Sequence, residues 1–454
     1  MKMKEKKYDV VKGEVLVGSA LLKKSKSKFP DRVQYMLDNM HHNKAYINYK
    51  EKNNKIKKDC LDDFKKKYKK YRIDWESQPS NCIGNKYNFT KLIEEDIRPL
   101  CVDIETAAIC DLACPFCFRE FTTTPDKIIN EEFCYNIIDQ VADLKIPSIK
   151  FNWRGEPLLH PKLPNFIKYA KEKGILETII NTNATNLNTK TSEKLIKAGL
   201  DFIIYSFDGG SKETYEKMRP GRFKKNTFDH VYENIKNFKI IRDKIGSKLP
   251  YTKIQMILTK DTFGEQESFF DLFTDYVDDV SLSQYTERGG KLSDLDEDGL
   301  SQYYHELKIN NLNPGTPYMR DAFGNLKISR GRKPCEQPFQ RILITYEGRV
   351  AMCCYDWGAT YPVGYMDETA YKSTKDYEDV MNKVKENKKG FELLSNIKMP
   401  KIHNDPEKTV STLKEIWYGN EINKVRNMHI KNEGEKVSIC KHCSFKDVYD
   451  WIEK

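Results

Sequence analysis

The 454-residue chain carries 77 Lys and Arg, 67 Asp and Glu and 8 His, a formal charge of +10. That length allows two or three domains around a large core. The N-terminus MKMKEKKYDV lacks the apolar stretch of a secretory signal, and no run approaches the roughly 18 to 20 apolar residues of a membrane span. A cytoplasmic protein is therefore expected, and in a reducing compartment clustered cysteines more often mean metal or catalysis than disulfides.

In chain order, residues 1–97 form a basic extension. Residues 1–75 hold 22 Lys and Arg against 10 Asp and Glu, so the positive excess sits at the front. Such a surface is either simply solvated or a patch for an acidic partner. The segment DCLDDFKKKYKKYRIDW repeats aromatics at Phe64, Tyr68, Tyr71 and Trp75, a helical stripe suited to core packing. From residue 98 to about 290 the pattern changes to strand–helix alternation. LCVDIETA, IKFNW, LETIINTN, DFIIYSFDG, YTKIQMIL and DVSLSQY read as strands, and helical segments stand between them. Apolar strands separated by helices indicate parallel β/α units, and six strands are too few for a closed eight-stranded barrel, so an open, partial (β/α)6 barrel is predicted. Residues 291–330 read as a linker broken by NPGTP, and 331–454 as a smaller cysteine-containing domain.

CDLACPFC, directly after the first strand, sets Cys110, Cys114 and Cys117 in a C-x3-C-x2-C spacing. A structural zinc site wants four ligands and no fourth Cys or His lies nearby, whereas a catalytic zinc with an open position or an iron–sulfur cluster needs only three. The loop leaves the C-terminal end of a strand, where parallel α/β folds place their chemistry.

The C-x3-C-x-Φ-C motif, with Phe116 before the third cysteine, resembles that of the radical S-adenosylmethionine (radical SAM) superfamily. The resemblance covers about residues 98–290. It implies a [4Fe–4S] cluster on Cys110, Cys114 and Cys117, shielded by Phe116, with S-adenosylmethionine (SAM) on the remaining iron. The stretch NWRGEPLLHP is similar to the family's GGEP motif with Arg154 in place of the first glycine. Gly155, Glu156 and Pro157 would then lie against SAM, and Arg154 would project toward substrate. Thr182 and Asn183 of NTNAT, Ser206 and Asp208 of YSFDGG, and Arg219 of KMRPG resemble positions that contact the SAM ribose and carboxylate. An electron donor of the flavodoxin or ferredoxin type is implied as partner.

The tail carries Cys335, Cys353, Cys354, Cys440 and Cys443. Cys335-x12-Gly348-x4-Cys353 resembles the opening of SPASM and twitch domains, small α+β iron–sulfur modules. ILITYEGRVAMCC reads as a hairpin turning at Glu347–Gly348. Cys335, Cys353, Cys440 and Cys443 would hold one auxiliary [4Fe–4S] cluster, where a full SPASM pattern has seven cysteines for two. A zinc ribbon follows the same two-pair logic. Alternation along a strand sends Cys353 and Cys354 to opposite faces, so only one is expected to ligate. Cys354 is then a candidate hydrogen-atom donor. Cys60, Cys82, Cys101 and Cys134 lack metal spacing, with Cys101 and Cys134 reading as packing residues, and His160 and His442 read as structural or exposed.

These features point to an enzyme that cleaves SAM to a 5′-deoxyadenosyl radical and abstracts hydrogen from a sugar or nucleotide-linked small molecule, with Glu287 and Arg288 as further substrate contacts. The alternatives are a peptide- or protein-modifying enzyme of the same chemistry, a zinc-dependent nucleic-acid-binding protein that would use the basic N-terminus and both cysteine sets, and a non-catalytic iron–sulfur scaffold.

Overall fold

The computed structural model describes residues 32–43, 58–84, 94–117, 126–259, 261–286, 334–372 and 410–441, with a few short stretches around them. Glu287, Arg288, His442 and most of the 291–330 linker lie outside the described residues.

Six strands follow one another in chain order: β1 Cys101–Ile104, β2 Ser148–Lys150, β3 Glu177–Thr182, β4 Phe202–Ser206, β5 Tyr251–Leu258 and β6 Asp279–Thr286. Each pairs in parallel with the next. The crossovers carry α3 Glu131–Asp143, α4 Leu163–Glu172, α5 Thr189–Ala198, α6 Lys212–Met218, α7 Phe228–Ile245 and α8 Gln266–Phe273. Their ends are written in the sequence. Asn130 and Asn188 accept backbone N–H groups at the starts of α3 and α5, while Gly199 and Gly246 close α5 and α7 with φ of 88° and 75°. The apolar faces of these helices and of the strands merge in one core that includes Ile138, Phe166, Leu195, Phe238 and Phe273. Burying each such side chain stabilises the fold by roughly 1.5–3 kcal/mol.

The tail hairpin is continuous with this sheet. Strands β7 Arg341–Ile344 and β8 Arg349–Ala351 turn at Gly348, whose φ is 99°, and β9 Pro362–Tyr365 follows. β7 pairs in parallel with β1, giving the order 6-5-4-3-2-1-7-8-9. The pairing satisfies the second edge of β1, which an isolated tail domain would leave to solvent. Two C-terminal helices, α9 Leu413–Trp417 and α10 Asn420–Ile430, pack on the same side. There the buried Trp417 donates from Nε1 to the Ile97 carbonyl at 2.8 Å.

The N-terminal helices α1 Arg32–Asn39 and α2 Lys58–Gly84 cover the opposite end. Tyr35, Met36, Met40, Phe64, Tyr68 and Tyr71 pack on Leu100, Leu176, Phe202, Leu249 and Tyr251, all at strand beginnings. Glu177, fully buried at the start of β3, accepts from Arg32 at 2.7 Å, Tyr68 at 2.9 Å and Tyr71 at 3.1 Å. The extension thus closes the N-terminal end of the strands and leaves the C-terminal end for chemistry.

Candidate active site

At the C-terminal end of β1 the chain runs straight into the cysteine loop, whose backbone is held on three sides. Ala108 N donates to the Lys127 carbonyl at 2.9 Å, Ala113 N to that of Pro220 at 2.9 Å, and Arg222 N to that of Asp111 at 2.8 Å. Cys114 is buried and Cys110 and Cys117 half-buried, in one apolar cluster with Leu112, Phe116, Trp153, Met218 and Trp357. Burial pushes the Cys114 thiol up to about 12 against the pull of Arg219, and raises Cys110 with help from Glu156. Thiolates here need a cation, which metal supplies.

The turn after β2 sits against this loop. A Cβ on Gly155 would lie 2.2 Å from the Ala107 oxygen and 2.4 Å from that of Ile109, so only glycine permits this approach. Glu156 N donates to the Ile109 oxygen at 2.9 Å. Its buried carboxylate accepts from Leu158 N at 3.0 Å at the Pro157–Leu159 turn, from Thr182 Oγ1 at 2.7 Å and from Asn183 N at 2.7 Å. Burial, then the Asp111 charge, push that carboxyl up to about 7 despite these donors. Asn183 Nδ2 donates to Asp111 at 2.8 Å and comes within 4.0 Å of Cys110 Sγ. Thr185 and Asn186 donate to the other Asp111 oxygen. Gly155, Glu156, Pro157, Thr182 and Asn183 therefore converge on the cysteine loop, with their polar atoms bonded chiefly to one another.

After β4, Ser206 is half-buried and Asp208 fully buried. Arg219 donates from Nε at 2.8 Å and Nη2 at 2.6 Å to one Asp208 oxygen, and Ile257 N donates to the other at 2.6 Å. The Arg219 guanidinium stands 5.8 Å from the Phe116 ring centroid, a cation–π contact that carries positive charge to the edge of the thiol cluster.

Arg154 departs from its expected role. Its guanidinium grips Glu105 through Nε at 2.7 Å and Nη2 at 2.9 Å, with side-chain exposures of 5% and 0%, and lies 4.2 Å from the Trp153 ring. A buried carboxylate at the end of β1 demands a cation, so this side chain is turned to Glu105 and braces β1 against β2.

The tail cysteines separate. Cys335, Cys353, Cys440 and Cys443 line one small cavity beside His429, whose Nδ1 accepts from Cys335 N at 3.2 Å. Burial and then the neighbouring Cys354, Cys440, Cys443 and Cys335 raise the Cys353 thiol strongly. Four thiols on one small cavity are a donor set of the type that metal centres use. Among the described residues, no three His, Cys, Asp or Glu side chains close on a single-ion point. Cys354 packs with the first cysteine cluster instead. Arg341 Nη1 donates to its Sγ at 3.3 Å, and Trp153 Nε1 to its carbonyl at 2.9 Å. Arg341 also faces Asp103 at 3.5 Å.

Asp111, Glu105, Arg341 and Trp153 escaped the sequence reading. Asp111 stands inside the cysteine motif, a signal available but unused. Glu105 and Arg341 meet their partners only through the sheet. His160 is structural, with Nε2 against the Ile129 carbonyl at 3.1 Å and Nδ1 accepting from Lys162 N. Cys82, Cys101 and Cys134 are fully buried.

Residues 104–258 match the model of the Radical SAM superfamily. The tungsten-containing aldehyde ferredoxin oxidoreductase cofactor-modifying protein of Pyrococcus furiosus is 24% identical over 36% of this chain and 44% of its own. The Fe-coproporphyrin III synthase of Methanosarcina barkeri is 30% identical over 32% and 35%. The chain thus spans less than half the length of both. An AdoMet-dependent heme synthase of Oleidesulfovibrio alaskensis is 24% identical over 58% of this chain and 71% of that protein. Among solved structures, BtrN in complex with AdoMet and 2-DOIA aligns at a TM-score of 0.40 and 14% identity over 78% and 95% of the two chains. Streptococcus suis SuiB bound to precursor peptide SuiA aligns at 0.42 and 18% over 66% and 65%. Among the described residues no helix is long and apolar enough to cross a membrane. Over residues 104–258, then, the chain is similar to the Radical SAM superfamily.

Proposed function

We propose that Cys110, Cys114 and Cys117 hold a [4Fe–4S] cluster that binds SAM, that Cys335, Cys353, Cys440 and Cys443 hold one auxiliary [4Fe–4S] cluster, and that the substrate is a sugar or nucleotide-linked small molecule. The observation that carries this reading is the approach of Gly155 to the Ala107 and Ile109 carbonyls, which seats the Gly155–Glu156–Pro157 turn directly against the three-cysteine loop. When bound, the cluster and SAM supply a one-electron cleavage that yields a 5′-deoxyadenosyl radical. The chain's own part is binding and enclosure. Asp208, clamped by Arg219, and the Thr182–Asn183 turn, clamped by Glu156 and Asp111, are the residues that would hold SAM. Trp153, Trp357 and Leu112 supply an apolar wall that excludes water from the reactive carbon. Cys354, held by Arg341 beside that wall, is the thiol placed to return a hydrogen atom. The pairing of β7 with β1 supports reading the fold as a partial barrel with a SPASM- or twitch-like tail.

The test is anaerobic: reconstituted protein with SAM and dithionite should release 5′-deoxyadenosine, and Cys114→Ala should release none. Iron counting separates the two tail cysteines. Cys353→Ser should lose about four irons of about eight, while Cys354→Ser keeps them. A colourless, zinc-loaded protein, or iron loss in Cys354→Ser with retention in Cys353→Ser, would overturn the assignment. Turnover of a peptide, with none of nucleotide sugars, would move the substrate to the peptide class.

A further inference from the structure

Strands β1–β6 turn one face to helices α3–α8, where Val102, Ile149, Ile180, Ile203, Ile254 and Val280 join the core. Strand alternation sends their neighbours Asp103, Lys150, Asn181, Ile204, Lys253 and Asp279 to the opposite, inner face. A parallel sheet is ordinarily covered, and apolar, on both faces. This inner face is instead rich in polar groups, and all of those neighbours but Asp103 are only half-buried. Its lower end is apolar, with Ile179 and Ile204 packed on the Phe202 and Tyr251 cluster that α1 and α2 close. At its upper end Ile257 packs with the cluster that holds Cys110, Cys114 and Cys117. Between these ends each cation has a carboxylate beside it. Lys253 pairs with Asp279 at 3.0 Å, Arg341 faces Asp103 at 3.5 Å, and Lys150 stands level with Asp103 in the β1–β2 register. Gln255 Nε2 reaches Ser283 Oγ only at 3.5 Å. Asp103 Oδ2, Asn181 Oδ1 and Asp279 Oδ1 have no hydrogen-bond donor. Acceptors in that state call for O–H or N–H groups.

We propose that this inner face binds an uncharged, polyhydroxylated carbon ring, with Asn181, Gln255 and the Lys253–Asp279 pair as the groups that select it. A phosphate brings acceptor oxygens alone, and Asp103 and Asp279 repel it. A nucleobase needs a ring to stack on, and among the described residues the aromatic side chains of this face, Phe202 and Tyr251, are buried at its lower end. Hydroxyl groups both donate and accept, so one ring satisfies the open carboxylate and amide oxygens and the Lys253 ammonium together. Its C–H side suits Ile179 and Ile204. The inference narrows the substrate class proposed above. It rests on the reading of Cys110, Cys114 and Cys117 as a cluster site for the statement that this ring is what the radical meets.

The experiment is saturation-transfer NMR on the reconstituted, SAM-bound protein. One probe is a mixture of neutral monosaccharides and cyclitols, the other a mixture of sugar phosphates and mononucleotides. The wild type should saturate members of the neutral mixture in preference to the phosphorylated one. Lys253→Met/Asp279→Leu, which removes both charges of the pair at once, and Gln255→Leu should each weaken that binding about tenfold or more, with iron content unchanged. The same exchange at an exposed pair of α5, Glu193→Leu/Lys197→Met, should leave binding as in the wild type. No saturation of the neutral mixture by the wild type, or stronger saturation of the phosphorylated one, would overturn the proposal. So would equal binding by the inner-face variants, which would place the sugar elsewhere, or loss of iron in both of them, which would make the face a support for the cluster and not a ligand site. Wild-type protein that binds the neutral mixture but releases no 5′-deoxyadenosine from SAM and dithionite would refute the cluster reading and leave the ring-binding face standing.

Discussion

Replacing Gly155 with alanine sets a methyl group 2.2 Å from the Ala107 oxygen, 2.4 Å from the Ile109 oxygen and 2.8 Å from the Ala108 carbonyl carbon. All three are backbone atoms, so no side chain can swing aside. Restoring ordinary contact requires the strand-2 turn and the cysteine loop to part by roughly 1 Å, a strain in the range of overpacked sites at about 1–3 kcal/mol. The same parting stretches the 2.9 Å bond from Glu156 N to the Ile109 oxygen, worth about 1 kcal/mol. A loss of about 2–4 kcal/mol follows, or a melting temperature lower by about 2–4 °C at roughly 1 °C per kcal/mol for a chain of this length. Melting of the metal-free protein by circular dichroism measures this, with Gly264→Ala as control because its Cβ meets nothing within 4 Å. Gly155→Ala should also bind less iron at the first site, because the turn that seats the loop has moved. If Gly155→Ala melted at the same temperature as Gly264→Ala and kept its iron, the close approach would not be what positions the cysteines.

Glu105→Gln strands the Arg154 guanidinium, 5% exposed, without its carboxylate. A denaturant titration should show a loss of about 3–5 kcal/mol, and an apolar pair at Glu105 and Arg154 should recover much of it; a loss under about 1 kcal/mol would show that water reaches the pair. The Glu156 carboxyl titrates near 7 in the fold against 4.5 unperturbed, so the native state holds its proton where the unfolded chain has released it. Its contribution is therefore full below about pH 4.5 and is lost as pH rises through about 7, by up to about 3 kcal/mol. Urea midpoints of the metal-free protein at pH 5 and pH 8 should differ less in Glu156→Gln than in the wild type, and equal differences would remove Glu156 from the titration.

Much of the candidate site was legible because the residues that build it are consecutive or lie at successive strand ends. C-x3-C-x2-C, RGEP, NTN and YSFDG each follow an apolar strand, and once the strands are known to run parallel in order, all four must meet at one end. The β1–β6 order followed from strand–helix alternation for the same local reason, since a parallel neighbour needs a crossover and the helices supply it. Strand alternation was the expected reason for Cys353 and Cys354 to part, but β8 ends at Ala351 and both lie in the bend beyond it, so their separation comes from that bend and not from alternation.

Long-range pairing was not legible. Arg154 looked free to meet a ligand because its partner, Glu105, is 49 positions away and becomes its neighbour only through the pairing of β1 with β2. Cys354 reaches the first cysteine cluster because β7 adds to the free edge of β1, and neither edge is marked by any residue type. The basic extension read as a surface, yet its Tyr68 and Tyr71 descend to Glu177 across more than 100 residues and close the N-terminal end of the sheet. Periodicity and motif spacing encode what a residue does within its own turn or strand. Which buried charge it must neutralise, and which thiol it faces, is decided only when distant strands come side by side.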